Sequence, residues 1–491
     1  MSPSLATLAC VVGVIGLFVL DRDSKSRASL ALWLPILWLF IGGSRNVSTW
    51  LAGGTIKAED LTSGAEYLEG SPFDRNVLLL LIVLALGVLA ARKERTLELL
   101  KNNKPLVIFV LYSVASTLWS DFPFVALKRW TKMLGNVAMG LVVLTELDPA
   151  AAVKRLLAAT TLLWLPASIL LIKYYPEFGR IYDRWEGKAL YSGVAVDKNL
   201  LGCICMIMAF GTLSRFVEMF RSRLPARRVL VVGTLFAMNL WLFALANSAT
   251  ALGCTLVGGS VIVVLGFFTR PRPYIVHAMV TGMISLAAVA YLFPNVWAMM
   301  VGALGRNTTL TGRTDIWADV LAMDTRPWFG AGFESFFLGD RLTILWAKYW
   351  WHPNESHNGY LETYLTLGLV GVGLLAMLMV TGYRNAIQIY RRDPISGLLR
   401  LAFLIVSPIY NLTEAAFKVT GPLWILFLMV IVAMPELQPE ESEVTEPEAS
   451  RDSNVRNPGR RSDGVPEFVW RWRPPAIPGA QPLGASRTSR L

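Results

Sequence analysis

Thirteen apolar stretches separated by polar ones recur along positions 1–434 and predict the elements of this chain. Crossing the ~30 Å hydrocarbon core of a bilayer takes about 20 mostly apolar residues in a helix. The stretches are Ser4–Leu20, Ala28–Gly43, Asn76–Ala91, Pro105–Trp119, Met133–Leu147, Arg155–Ile172, Lys198–Ser214, Val229–Ala246, Ala249–Phe268, Tyr274–Phe293, Asn358–Val380, Gly397–Asn411 and Thr420–Met434. Some fall short of that length, so the pattern predicts an all-α, polytopic transmembrane protein with about 12–13 spans. The first stretch lacks a basic n-region and a small-residue cleavage site before Asp21, and is expected to be a retained helix rather than a signal peptide. No solenoid repeat interrupts the series, so 1–434 reads as one membrane domain.

Two polar regions break the rhythm. Residues 435–491 begin with six glutamates, Glu436 to Glu448, and continue rich in Arg, Pro, Gly and Ser, the composition of a disordered cytoplasmic tail. The segment 294–356 is too long for a bare connection. Within it, Gly312–Met323 places Ile316, Trp317, Val320 and Leu321 on one face and Arg313, Asp315 and Asp319 on the other, as a helix lying on the membrane surface would. Arg326-Pro327-Trp328-Phe329-Gly330-Ala331-Gly332 breaks that helix, and the aromatic run Leu345–Trp351 suits the bilayer interface.

Composition supports the same class: 54% hydrophobic and 16% charged residues exclude an ordinary soluble domain. The net charge of +11 implies no nucleic-acid partner, because the short loops carrying Arg92–Arg95, Arg215–Arg228, Arg270–Arg272 and Arg384–Arg392 alternate as cytoplasmic loops do. That alternation puts the amino terminus and 294–356 outside. Cys10, Cys203, Cys205 and Cys254 all fall in apolar stretches and form no disulfide framework or zinc set.

Against this background few residues offer chemistry. His357 opens the pattern His-Asn-x9-Gly-x-x-Gly with Asn358, Gly368 and Gly371 where a polar stretch enters an apolar one. At 3.6 residues per turn, His357, Leu361, Tyr364, Gly368 and Gly371 would share a stripe that a neighbouring helix can approach closely. Helix capping is the alternative role for this Ser-His-Asn cluster. His277 lies in an apolar stretch and is expected to be structural; His352, in the loop, is a candidate assistant, and no metal site is expected. Cations gather on the outer side: Arg180, Arg184, Lys188 and Lys198 in one loop, Arg306, Arg313, Arg326 and Arg341 in the other. Guanidinium forks suit phosphate oxygens, and Arg313, Arg180 and Arg184 are the favoured candidates. Glu362 falls about 140° round the helix from His357, too far to orient its ring directly. Glu414, at the edge of a span, is a candidate for contacting an acceptor sugar or for pairing with Lys418.

The His357–Gly371 pattern, Gly312-Arg313-Thr314-Asp315-Ile316-Trp317, Arg326–Gly332 and the many helices together resemble the O-antigen ligase and polymerase superfamily. Gly43-Ser44-Arg45-Asn46-Val47-Ser48-x-Trp50-Leu51, Glu69-Gly70-Ser71-Pro72, Leu118-Trp119-Ser120-Asp121 and Asp197-Lys198-Asn199-x-x-Gly202 resemble its exopolysaccharide-polymerization branch. The resemblance runs from about Leu30 to Met434. It implies a cofactor-free, metal-independent, inverting glycosyltransferase of the bacterial inner membrane, acting on an undecaprenyl-diphosphate-linked glycan and an acceptor glycan at the periplasmic face, beside other polysaccharide export proteins. It also implies His357 as the base and Arg313 with Arg180 or Arg184 on the diphosphate; Lys198 is a further candidate for the diphosphate, and Glu414, Asn358 and His352 are candidates for contacting the acceptor. A ligase acting on lipid A core or protein, a transporter of the same lipid and a secretion scaffold are the competing expectations.

Overall fold

The computed structural model describes residues 1–22, 29–53, 71–182, 187–221, 225–292, 312–323, 325–417, 419 and 421–434. Arg184, Arg306, Lys418, Glu69, Gly70 and the tail 435–491 therefore lie outside the described residues.

The described chain is all-α apart from one small hairpin. In chain order the helices are α1 (Pro3–Asp21), α2 (Trp33–Gly42), α3 (Val47–Leu51), α4 (Pro72–Ala91), α5 (Lys93–Asn102), α6 (Lys104–Ala115), α7 (Pro123–Leu144), α8 (Pro149–Tyr174) and the single turn α9 (Pro176–Gly179). Strands β1 (Arg180–Tyr182) and β2 (Ala189–Tyr191) pair antiparallel, with Ile181 opposite Leu190. Then come α10 (Lys198–Arg221), α11 (Ala226–Ala246), α12 (Ala249–Gly266), α13 (Pro273–Leu292), α14 (Arg313–Ala322), α15 (Gly339–Lys348), α16 (Gly359–Arg392), α17 (Pro394–Tyr410) and α18 (Pro422–Ile431). Among the described residues seven of these helices are long and apolar enough to cross a membrane, and five shorter ones are apolar. Each of the thirteen predicted stretches falls on a helix, and the chain is a multi-pass membrane protein.

Several boundaries differ: α16 runs on to Arg392 and α10 to Arg221, past the predicted Val380 and Ser214, and α7 starts early. The stretch predicted from Met133 is the inner half of α7, which already starts at Pro123. Lys128, Arg129 and Lys132 depress the hydropathy of its first half and hid it.

The helices interlock through a core in which α10 and α17 are buried on most sides, with Ile204, Met206, Phe210, Phe403 and Val406, and α12 adds Val261 while leaving Leu252 and Leu256 exposed. A helix apolar all round belongs in such a centre. Polar latches gather at one end of the bundle: Arg92 reaches Glu146 at 2.6 Å and Ser29 at 2.9 Å, Asn103 donates to Ala433 O, and Lys154 meets Glu218. The other end holds the amino terminus, where Thr7 and Tyr175 share a hydrogen bond at 2.8 Å, together with the hairpin, α14, α15 and the start of α16. As predicted, α14 is a helix with Ile316 and Val320 buried. Its Asp319 is gripped by Lys348 of α15 at 2.6 Å and by the Tyr349 hydroxyl at 2.6 Å, and these bonds hold its carboxyl below the usual range.

The glycine stripe turns out to be a break. Gly368 sits at φ 67°, ψ −167° in the middle of α16. A Cβ there would lie 2.3 Å from the backbone of Trp328, so only glycine fits. The loop 327–332 fills the gap: Ala331 and Gly332 donate to Leu365 O and Thr366 O, while Leu369 and Val370 donate to Pro327 O and Trp328 O. The close neighbour expected at this stripe is thus a loop backbone rather than a helix. Backbone groups freed inside a membrane helix must find partners in the protein, and this loop supplies them.

Candidate active site

His357 does not lie on α16. The helix starts at Gly359, and Asn358 is its cap, with Oδ1 accepting from Tyr360 N at 3.0 Å and Leu361 N at 3.1 Å. Capping therefore falls to Asn358, an acceptor-contact candidate in the sequence, and not to His357. His357 itself takes a left-handed conformation, φ 54°, which a histidine adopts at modest cost. Neighbours hold this turn. Ser356 is fully buried, its N donates to Glu362 Oε1, its Oγ to Asn358 O, and its carbonyl accepts from Trp317 Nε1 at 2.7 Å. Glu362 orients the turn rather than the ring.

The ring faces two carboxylates. Nδ1 lies 2.8 Å from Glu355 Oε1 and 3.8 Å from Glu414 Oε2, with a third of the imidazole exposed. Glu414 Oε1 in turn receives Arg313 Nη2 at 2.9 Å. Burial disfavours the charge on Glu414, but the contacts with His357 and Arg313 outweigh it and hold this carboxyl below its usual range. Residues 313, 357 and 414, far apart in the chain, thus form one cluster at the His357 end of the bundle. Glu355 was missed in the sequence because a residue two places before a histidine carries no periodic signal; only the positive φ folds it back.

Glu414 is placed by Asn411, which is completely buried at the end of α17. Its Oδ1 accepts from Ala416 N and Phe417 N, its Nδ2 donates to Ser407 O, and its carbonyl accepts from Gly359 N. The start of α16 and the loop bearing Glu414 are therefore locked together. Thr413 bonds Thr250 at 2.9 Å, and Tyr410 reaches the carbonyl of Asn199, next to Lys198. Lys198 begins α10, where Asp197 Oδ1 caps Asn199 N and Leu200 N.

Arg180 is set in the hairpin, with Nε donating to Ile172 O at 3.1 Å and its guanidinium over Tyr191. Among the described residues no contact joins it to His357; the place of its hairpin depends on Arg45. That residue is buried, and its guanidinium donates to Gly193 O, Val194 O, Phe178 O and Ser192 Oγ, closing the base of the hairpin against α2. This gives the Gly-Ser-Arg-Asn motif a physical role. Replacing Arg45 with Ala strips charge-assisted bonds from buried carbonyls and is expected to cost about 2–4 kcal/mol. A thermal transition of the purified variant that matches wild type would refute this. His352 stacks on Trp346 with ring centroids 4.8 Å apart and stays exposed on its loop. Arg341 pairs with Asp121, and Arg326 donates to Trp119 O, so both brace the 326–341 loop.

With this geometry in hand, two comparisons bear on identity. Residues 234–376, which include His357 and Gly368, match the family model described as O-antigen ligase. The exopolysaccharide production protein ExoQ of Rhizobium meliloti (strain 1021) is 23% identical over 286 residues, 56% of this chain and 63% of that protein. The matched stretch thus spans less than two thirds of that relative. Both findings support the resemblance to the O-antigen ligase and polymerase superfamily and its exopolysaccharide-type branch.

Proposed function

We propose that this chain is an inverting glycosyltransferase that polymerises undecaprenyl-diphosphate-linked repeat units of an exopolysaccharide at the outer face of a bacterial inner membrane. The observation that carries the reading is the His357–Glu414–Arg313 cluster at one end of a membrane bundle, with Glu355 at the ring. A proton on Nδ1 facing Glu355 leaves Nε2 as the base. Nε2 takes the proton of an acceptor hydroxyl as its oxygen attacks the anomeric carbon of the donor. A new C–O bond forms with inversion, the bond from that carbon to the phosphate oxygen breaks, and the electron pair leaves with the lipid diphosphate. Glu355 and Glu414 stabilise the imidazolium formed. Arg313, which has five N–H donors and directs Nη2 to Glu414, takes up charge on the departing phosphate, with Lys198, Arg180 and Arg184 as further candidates. A diphosphate leaves readily, so the reading assigns no metal or organic cofactor. The outer-face assignment rests on Lys93, Arg95, Arg221, Arg391 and Arg392 marking the opposite end of the helices as cytoplasmic.

The ligase description of the matched family keeps a second reading in play, in which the same donor glycan passes to lipid A core. Supplying purified, reconstituted protein with a defined lipid-diphosphate oligosaccharide and no other acceptor separates the two. A ladder of lengthened products is expected. An unlengthened donor that is transferred once lipid A core is added would defeat the polymerase reading in favour of the ligase.

A further inference from the structure

The outer half of α7 carries a cluster that the site above does not use. Lys128, Arg129 and Lys132 stand at i, i+1 and i+4, within the first ten residues of a helix whose remaining half is buried in the bundle. Lys128 is exposed while Arg129 and Lys132 are half-buried, and the apolar side chains around them are exposed: Leu118 at 84%, Phe124 at 80% and Leu127 at 44%. The neighbouring α4 exposes Leu80 and Val83 further down. A surface that is apolar along its length and cationic at the headgroup level matches a lipid with an anionic head. Cations on the outer side also run against the usual charge bias.

Carboxylates face this cluster too. Asp74 and Glu334 are the acids near Lys132, and both Asp74 oxygens are already engaged by the N and Oγ of Ser48. Three cations against two acids leave the face positive. Arg129 Nη1 donates to the carbonyl of Glu334, a residue held at φ 53°, where a glutamate is strained. Glu334 also lines a small cavity with Glu362, Thr363 and Thr366, whose other walls, Phe109, Met133, Leu375 and Trp424 among them, are apolar.

We propose that Lys128, Arg129 and Lys132 form a second docking site for a lipid-linked diphosphate, and that it holds the acceptor lipid. The inference rests on the polymerase reading, in which donor and acceptor carry the same lipid diphosphate and one cationic site cannot hold both. It places the donor at Arg313 and the acceptor at the outer half of α7.

The test counts lipids. The full chain in phosphatidylcholine nanodiscs is titrated with undecaprenyl diphosphate and analysed by native mass spectrometry. Two bound lipids are expected for wild type, one for the double variant Lys128→Ala/Lys132→Ala, and one for Arg313→Ala; excess phosphatidylglycerol should displace neither. In the chain-growth assay the double variant should need at least tenfold more lipid-linked substrate for half-maximal rate. A single bound lipid in wild type, two retained in the double variant, or displacement by phosphatidylglycerol, which would make the face a general contact for anionic lipid, overturns the inference. Two lipids bound by a wild-type protein that transfers no sugar would sink the transferase reading and leave the second site standing.

Discussion

Replacing His357 with Ala is expected to lower glycan transfer by about 10²–10⁴-fold, the range of a positioned general base, while the purified protein stays folded. The turn that carries the ring is built by other groups: Asn358 caps α16, Glu362 and Trp317 hold Ser356, and Asn411 ties Gly359 in place. Alanine at 357 removes none of these, although it sits less comfortably than histidine at a positive φ. Because the ring is a third exposed, it contributes little packing to lose. Glu355→Gln should give a milder defect with a displaced pH–rate profile, since an amide at Nδ1 no longer favours the imidazolium. Undiminished turnover by the His357 variant in reconstituted vesicles would remove the base from the mechanism.

Arg313→Ala should lower the maximal rate by about 10²–10³-fold, as expected for loss of one preorganised donor to transition-state charge. A structural explanation competes with this, because removing Arg313 leaves buried Glu414 without its cation. The double variant Arg313→Ala/Glu414→Gln, measured against Glu414→Gln alone, decides between them, since the neutral amide no longer needs a cation and the loss of the carboxylate beside the imidazolium is common to both. If the arginine acts on the phosphate, the double variant recovers stability and not rate. Recovery of both would reduce Arg313 to a partner of Glu414. Arg313→Lys is expected to restore only part of the rate, because an ammonium lacks the planar fork that matches phosphate oxygens.

How much of this was legible in the sequence varies by residue. The helices were, because apolar length alone decides where a chain can cross lipid. Gly312–Met323 was also legible, since one helical face holds its apolar residues and becomes α14. The outer half of α7 was not, because Lys128, Arg129 and Lys132 make it resemble a loop. Gly368 was noticed as part of a pattern and assigned a helix-packing role; its left-handed backbone admits the 327–332 loop instead, which periodicity cannot foresee. The family pattern drew attention to His357 and Arg313, whereas Glu355 had no signal of its own.

By itself the sequence determined that the chain lies in a membrane, where it crosses, and which few polar residues stand out against so much hydrocarbon. Solvent partitioning acts on each stretch separately, so those facts are local. Only the tertiary structure decided that Glu414, 101 positions from Arg313, joins it beside His357, that Arg45 closes the hairpin of Arg180, and that α16 breaks at Gly368. Those outcomes depend on buried charges and freed backbone groups finding partners in distant segments, and such pairing exists only once the helices have packed.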